Sequence, residues 1–193
     1  LLPARELDRF AGVLASSLTI VDTENQPLVS LGPSDCNLID WSPDGTMLAW
    51  VDPDAKQYKF TKVKPNLQME PSVIPNTYAM DATRPRFSSD GRWLAYRADN
   101  ELFVARIDRT PISDAVSVNV DLVAPQTDRL GAYQFSPNGR ALVYLAAGQI
   151  EGLNELYLVD LSGDTPGPSR RISPDLRGFP STDGIVAPRP DDD

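Results

Sequence analysis

All four lysines of the chain fall in one short stretch, at Lys56, Lys59, Lys62 and Lys64. On a protein with a formal net charge of −9, such a cluster could bind an anion or an acidic partner. The alternative is a charged outer strand, on which lysine discourages edge-to-edge pairing. Arginines gather further on, at Arg84, Arg86, Arg92, Arg97, Arg106 and Arg109. Arg84 and Arg86 stand close enough in sequence to hold a carboxylate or phosphate by paired hydrogen bonds. The plainer reading pairs them with the abundant aspartates. Asp52-Pro53-Asp54 and Asp99-Asn100-Glu101 are short acidic clusters. They lack the spaced oxygen donors of a calcium loop, and turn chemistry explains them.

Other chemistry is limited by what the chain of 193 residues lacks. It has no histidine and one cysteine, Cys36. Ser-His-Asp and Cys-His catalysis carried by this chain alone are excluded, as are the usual zinc sets. No catalytic residue, metal or cofactor is expected. Cys36 is expected to be a small buried apolar residue. The acidic charge argues against nucleic acid as a partner. The best apolar run, Gly12 to Val21, is about half the length of a membrane span and carries two serines. The chain does not begin with Met and lacks the basic start of a secretion signal, so its first residue is read as a processed end or the edge of a larger protein.

The elements that must position these groups are set by a repeat. Trp41-Ser42-Pro43-Asp44-Gly45-Thr46-Met47-Leu48-Ala49-Trp50 aligns without gaps to Phe87-Ser88-Ser89-Asp90-Gly91-Arg92-Trp93-Leu94-Ala95-Tyr96, and to Phe135-Ser136-Pro137-Asn138-Gly139-Arg140-Ala141-Leu142-Val143-Tyr144. The glycines are 46 and then 48 residues apart. A faint fourth copy, Ser181-Thr182-Asp183-Gly184, lacks both aromatics. Ser, Pro, Asp or Asn and then Gly suit a type I turn followed by positive φ. Ser42, Asp44, Gly45, Ser88, Asp90, Gly91, Ser136, Asn138 and Gly139 are therefore read as turn residues. Their recurrence argues against a unique catalytic role.

Each turn joins two antiparallel strands. The second is apolar on both alternating faces, as in Met47, Ala49 and Val51 against Leu48 and Trp50, which predicts cover on both sides. Further strands are predicted at Leu18–Val21, Tyr58–Val63, Leu102–Ile107 and Leu156–Leu161. Short fourth strands are predicted at Leu28–Ser30, Ser72–Ile74, Leu122–Ala124 and Arg171–Ser173. Four strands per unit of about 45 residues is the period of a β-propeller blade. The fold class is all-β, a propeller of four-stranded antiparallel blades. Three blades are expected to be complete, at 36–80, 81–128 and 129–176, with a partial blade at 10–35. Residues 177–193 are a Pro- and Asp-rich tail or the start of a further blade. The ring is expected to be partial or open and to leave a blade face uncovered, the alternative being a closed four-bladed ring. In either form Arg84 and Arg86 enter the first strand of their blade near the central channel.

The turn-and-strand motif resembles the WD-repeat-like propeller repeat of the TolB type, which also occurs in propeller domains of prolyl-oligopeptidase and tricorn-type proteases. The resemblance covers about residues 15–175, and its motif residues build turns and cores. It implies an extracytoplasmic scaffold, periplasmic or extracellular, that docks other proteins. The expected function is accordingly a non-catalytic interaction module with a protein partner, with Lys56, Lys59, Lys62, Lys64, Arg84 and Arg86 as partner-binding candidates. Two alternatives stand beside it: an accessory propeller of a prolyl-oligopeptidase-like hydrolase, and a carbohydrate-binding or carbohydrate-active propeller.

Overall fold

The three repeat turns close with one set of hydrogen bonds. The N–H groups of Gly45, Gly91 and Gly139 each donate to the carbonyl of the turn serine at 2.9 Å. The hydroxyls of Ser42, Ser88 and Ser136 accept the N–H of Met47, Trp93 and Ala141 at 2.8, 2.9 and 3.0 Å. They donate in turn to Asp44, Asp90 and Asn138 at 2.6, 2.6 and 2.7 Å. Those same oxygens accept the N–H of Thr46, Arg92 and Arg140. The glycines take φ of 69°, 70° and 72°, a region costly to any residue with a Cβ. The reversal thus satisfies its own polar groups and fixes the register of the strands it joins.

The computed structural model describes residues 2–3, 9–14, 17–22, 29–33, 39–63, 71–74, 83–98, 100–109, 115–121, 130–147 and 154–174. They form four sheets of four antiparallel strands. The first holds β1 (Leu2–Pro3), β2 (Arg9–Leu14), β3 (Ser17–Asp22) and β4 (Val29–Pro33). The second holds β5 (Ile39–Trp41), β6 (Met47–Asp52), β7 (Gln57–Lys62) and β8 (Ser72–Val73). The third holds β9 (Arg86–Phe87), β10 (Trp93–Ala98), β11 (Glu101–Arg106) and β12 (Val116–Ser117). The fourth holds β13 (Leu130–Phe135), β14 (Ala141–Ala146), β15 (Glu155–Asp160) and β16 (Arg170–Arg171). In each sheet the strands run in chain order from one edge to the other.

This is the all-β, four-stranded blade architecture of a propeller, and two details differ from the sequence reading. The first sheet begins at Leu2 and has its own inner pair of strands, which no aromatic-Ser-Pro-Asp-Gly turn announces. The fourth strand of the third sheet is Val116–Ser117, ahead of the expected Leu122–Ala124. It sits there because Val118 N–H reaches the Leu102 carbonyl at 2.8 Å and the Asn119 side chain then caps Leu102 N–H at 2.8 Å. Leu122–Ala124, Cys36, Lys64, the faint motif Ser181–Gly184 and the 177–193 segment lie outside the described residues.

Three apolar clusters stack the sheets in chain order. Leu18 and Ile20 of the first meet Ile39, Trp41, Leu48 and Trp50 of the second. Met47, Ala49, Val51 and Tyr58 meet Leu94, Tyr96 and Ala105 of the third. Trp93, Ala95, Leu102 and Val104 meet Leu142, Tyr144 and Tyr157 of the fourth. Each large side chain fully withdrawn from water contributes roughly 1.5–3 kcal/mol, so these interfaces hold the stack together. Polar ties cross them too. Tyr58 Oη lies 2.7 Å from the carbonyls of Thr83 and Arg97. Arg97 Nη1 donates to Leu130 O at 2.7 Å, and Trp93 Nε1 to Leu161 O at 3.1 Å. Among the described residues no apolar cluster joins the fourth sheet to the first.

Candidate functional site: a cavity on the inner strands

The inner strands β5, β9 and β13 run beside one another, each just ahead of its turn. Their register places one position of the repeat in common: Asp40 opposite Ala49, Arg86 opposite Ala95, Gln134 opposite Val143. The next residue along, Trp41, Phe87 or Phe135, packs into an interface between blades. The shared position thus alternates away from those packed aromatics. Asp40, Arg86 and Gln134 line one cavity of ≈ 580 Å³, together with Arg84, Tyr133 and Ser89. That volume suits a small molecule.

The polar groups are held in place. Arg84 Nη2 donates to Asp40 Oδ1 at 2.9 Å, and Phe87 N–H donates to Asp40 Oδ2 at 3.1 Å. Burial raises the Asp40 carboxyl above the usual aspartate range; the Phe87 N–H and the charges of Arg84 and Arg86 pull it only part of the way back. Tyr133 Oη donates to Arg84 O at 2.7 Å and anchors that segment. Burial holds the Tyr133 hydroxyl protonated to well above its ordinary value. Arg84 Nε is buried with no hydrogen-bond partner. Arg86 is exposed at the rim. The cavity therefore offers a carboxylate of raised basicity, a solvent-facing guanidinium and a primary amide, all on rigid strands.

Arg84 and Arg86 come together here, and the described lysines, Lys56, Lys59 and Lys62, do not join them. Lys59 Nζ lies 2.6 Å from Asp52 Oδ2, and Lys62 is exposed on the opposite face of β7. Lys56 sits in the β6–β7 turn at φ 51°. Asp52 also accepts the N–H groups of Asp54 and Ala55, so this acidic cluster builds its own turn. The three turn serines are each engaged as donor and acceptor within their turns. Arg92, Arg106 and Arg109 surround Asp108 and Asp164 where the third and fourth blades meet. Arg106 also stacks over the Trp93 ring at 5.1 Å.

Sequence reasoning missed Asp40, Tyr133 and Gln134. The signal was present: the residue before the repeat aromatic is Asp40, Arg86 or Gln134, a position that varies in charge while its neighbours keep to pattern. Among the described residues no group of three His, Cys, Asp or Glu side chains is arranged to hold a metal ion. No helix among them is long and apolar enough to cross a membrane.

Four-stranded blades stacked in chain order around adjacent inner strands define the β-propeller class. Solved structures of that architecture are similar to this chain. Hsv2 of Kluyveromyces lactis superposes with a TM-score of 0.55 at 12% identity, over 81% of this chain and 46% of that one. The periplasmic gluconolactonase PpgL of Pseudomonas aeruginosa superposes with a TM-score of 0.54 at 16% identity, over 86% and 52%. A candidate 6-phosphogluconolactonase of Bacteroides uniformis gives 0.53 at 12%, over 86% and 53%. The chain thus spans about half the length of these structures. No protein-family model and no curated protein matches it.

These neighbours correct the expected function. The expectation of a non-catalytic scaffold, and of a chain that is not an enzyme, rested on the propeller repeat and on the missing histidine. The same architecture occurs in chains named for lactone hydrolysis, so the repeat gives no ground for a non-catalytic role. A carboxylate whose pKa burial raises is a group that can act as a base where histidine is absent. The expectation is withdrawn.

Proposed function

We propose that the inner-strand cavity binds a small hydroxylated acid or its lactone and hydrolyses the lactone ring. The observation that carries this reading is the placing of Asp40, Arg86 and Gln134 at one register position of three adjacent blades, around one cavity. Asp40 is the base. It takes a proton from a water whose oxygen attacks the lactone carbonyl carbon, and the carbonyl π electrons move onto oxygen. Arg86 faces that developing negative charge, and then the carboxylate of the product. Collapse of the tetrahedral adduct breaks the bond to the ring oxygen, which leaves as a hydroxyl with the proton returned from Asp40. Gln134 donates to and accepts from the substrate hydroxyls. The names of two structural neighbours point the same way. The three turn motifs support membership of the TolB-type repeat group. With the periplasmic neighbour, they support an extracytoplasmic location.

The test is hydrolysis of glucono-δ-lactone by the purified chain, followed by titration of released acid. A rate above the uncatalysed one is expected, and Asp40→Asn should lower it by roughly 10²-fold or more. Because only the ionised Asp40 can act as base, the rate should fall with decreasing pH, with a midpoint above the ordinary aspartate range. No rate above background, or a rate indifferent to Asp40→Asn, would overturn the assignment.

A further inference from the structure

Thr83-Arg84-Pro85 leads into β9 and belongs to no strand, so its backbone groups need partners from elsewhere. Two tyrosines from the blades on either side supply them. Tyr58 of β7 accepts the Thr83 N–H at 2.9 Å, and its Oη lies 2.7 Å from the Thr83 carbonyl. Tyr133 of β13 donates to the Arg84 carbonyl at 2.7 Å and stands 3.4 Å from Thr83 Oγ1. Pro85 has no N–H to satisfy, is buried, and disfavours a helical turn at Arg84. The backbone at Arg84 is thus held from both sides. From that fixed point its side chain reaches into the cavity and places Nη2 2.9 Å from Asp40 Oδ1. The chain of contacts runs from the fourth blade through the third to the second.

We propose that Tyr133 is a positioning residue for Asp40, the base of the lactone reading on which this rests, and that it acts through Arg84. Its ring packs against the apolar cluster between the third and fourth blades, so the place of the hydroxyl is set by that interface. Its one proton is spent on the Arg84 carbonyl. The other contact to Asp40, from Phe87 N–H to Oδ2, is placed by the pairing of Phe87 with Leu94 and owes nothing to Tyr133. Only the guanidinium contact hangs on the Thr83-Arg84 segment. Among the described residues the charged or titratable groups facing Asp40 are Arg84 and Arg86 of the third blade and Tyr133 of the fourth. Opposite it β6 carries Ala49, and β1, which approaches β5, carries Leu2 and Pro3. Removing the Tyr133 hydroxyl leaves ring and ladder in place but frees the Arg84 carbonyl. The guanidinium then spends less time on Asp40, and the carboxyl loses part of the attraction that favours its ionised form.

Titration of the Asp40 carboxyl by carbon NMR in the free protein, with its signal assigned by loss in Asp40→Asn, decides the matter without turnover. Tyr133→Phe should move the midpoint upward, and Arg84→Met should move it upward at least as far. The double variant should match Arg84→Met alone, because the hydroxyl acts only through the guanidinium. Tyr144→Phe is the control. That hydroxyl serves Val120 N–H and Ser169 Oγ, so its loss should leave the Asp40 midpoint where it was, whatever it costs in stability. In lactone hydrolysis the pH–rate midpoint of Tyr133→Phe should rise in step with the NMR midpoint. An Asp40 midpoint unchanged by Tyr133→Phe overturns the proposal. So do shifts that add in the double variant, or an equal shift in Tyr144→Phe. If the shifts appear in a chain that hydrolyses no lactone, the positioning stands and the lactone reading falls. If Asp40 drives hydrolysis and Tyr133→Phe shifts nothing, the reverse holds.

Discussion

Leu102 in the third blade and Leu156 in the fourth have the same place in the repeat. Each lies on the third strand of its sheet, and each shares its pair position with the residue before the end of the second strand. Leu102 is fully buried in the cluster between two blades, and Leu156 is only partly buried on the outer face of the fourth one. The strands themselves differ little. Trp93-Leu94-Ala95-Tyr96-Arg97-Ala98 and Ala141-Leu142-Val143-Tyr144-Leu145-Ala146 are both apolar on alternating faces except at Arg97, which stands where the fourth blade has Leu145. A blade thus encodes two interfaces in one sequence, and among the described residues the second is covered by an apolar cluster in the third blade but not in the fourth. Hydrophobic stabilisation follows the area removed from water, so equal residues in equal registers make unequal contributions here.

A matched pair of truncations tests that inequality and should give the largest effect. Leu102→Ala leaves a cavity between the third and fourth blades and should cost about 2–5 kcal/mol. Leu156→Ala should cost less, about 1–2 kcal/mol, since its side chain is already partly in water. Denaturant unfolding compares them. Equal losses at the two sites would mean that the outer face of the fourth blade is covered within the chain.

The turns offer a second contrast, of smaller size. A Cβ on Gly139 would lie 2.7 Å from Asp90 Cγ and 2.8 Å from Asp90 N, because the turn of the fourth blade presses on that of the third. Ser89 Oγ donates to Pro137 O at 2.6 Å across the same contact. A Cβ on Gly91 would meet nothing within 4 Å and would bear only the cost of positive φ. Gly91→Ala should therefore lose about 1 kcal/mol, and Gly139→Ala about 2–3 kcal/mol. Thermal melts of both variants check the order. Reversed losses would mean that the turns of the third and fourth blades do not touch.

What was legible in the sequence follows the same division. The turns could be read because Ser, Asp and Gly are chosen for the local backbone, and Gly45, Gly91 and Gly139 carry their reason with them. The double-faced strands could be read because their period is local as well. The first sheet was only half visible, since β1 and β2 meet without the turn motif. The cavity was less visible still. Asp40, Arg84 and Tyr133 come from three blades, and nothing near Asp40 in the chain announces that Arg84 will reach it at 2.9 Å. A polar residue ahead of a core aromatic reads as an ordinary surface position until neighbouring inner strands bring three such positions together.

The last test uses pH to probe the covered side of the same fourth blade. Tyr157 is buried against the third blade, stacks on Tyr144 with ring centres 5.4 Å apart, and donates to Glu155 Oε2 at 2.9 Å. Burial first, and the Glu155 carboxylate second, push the Tyr157 hydroxyl up to about 12. An unfolded tyrosine ionises near the usual value of 10.0. The unfolded chain therefore releases this proton at lower pH than the folded one, and stability falls as pH rises from about 10 to about 12. Below that window Tyr157 makes no pH-dependent contribution. Tyr157→Phe should flatten the fall in melting temperature across the window and leave the pH profile below it unchanged. No outer-face substitution on the fourth blade should alter that slope, because no tyrosine stands among Val143, Leu145, Leu156, Leu158 and Ile172. An alkaline slope identical in the wild-type chain and the Phe variant would mean that Tyr157 is open to water and that the third and fourth blades do not seal over it.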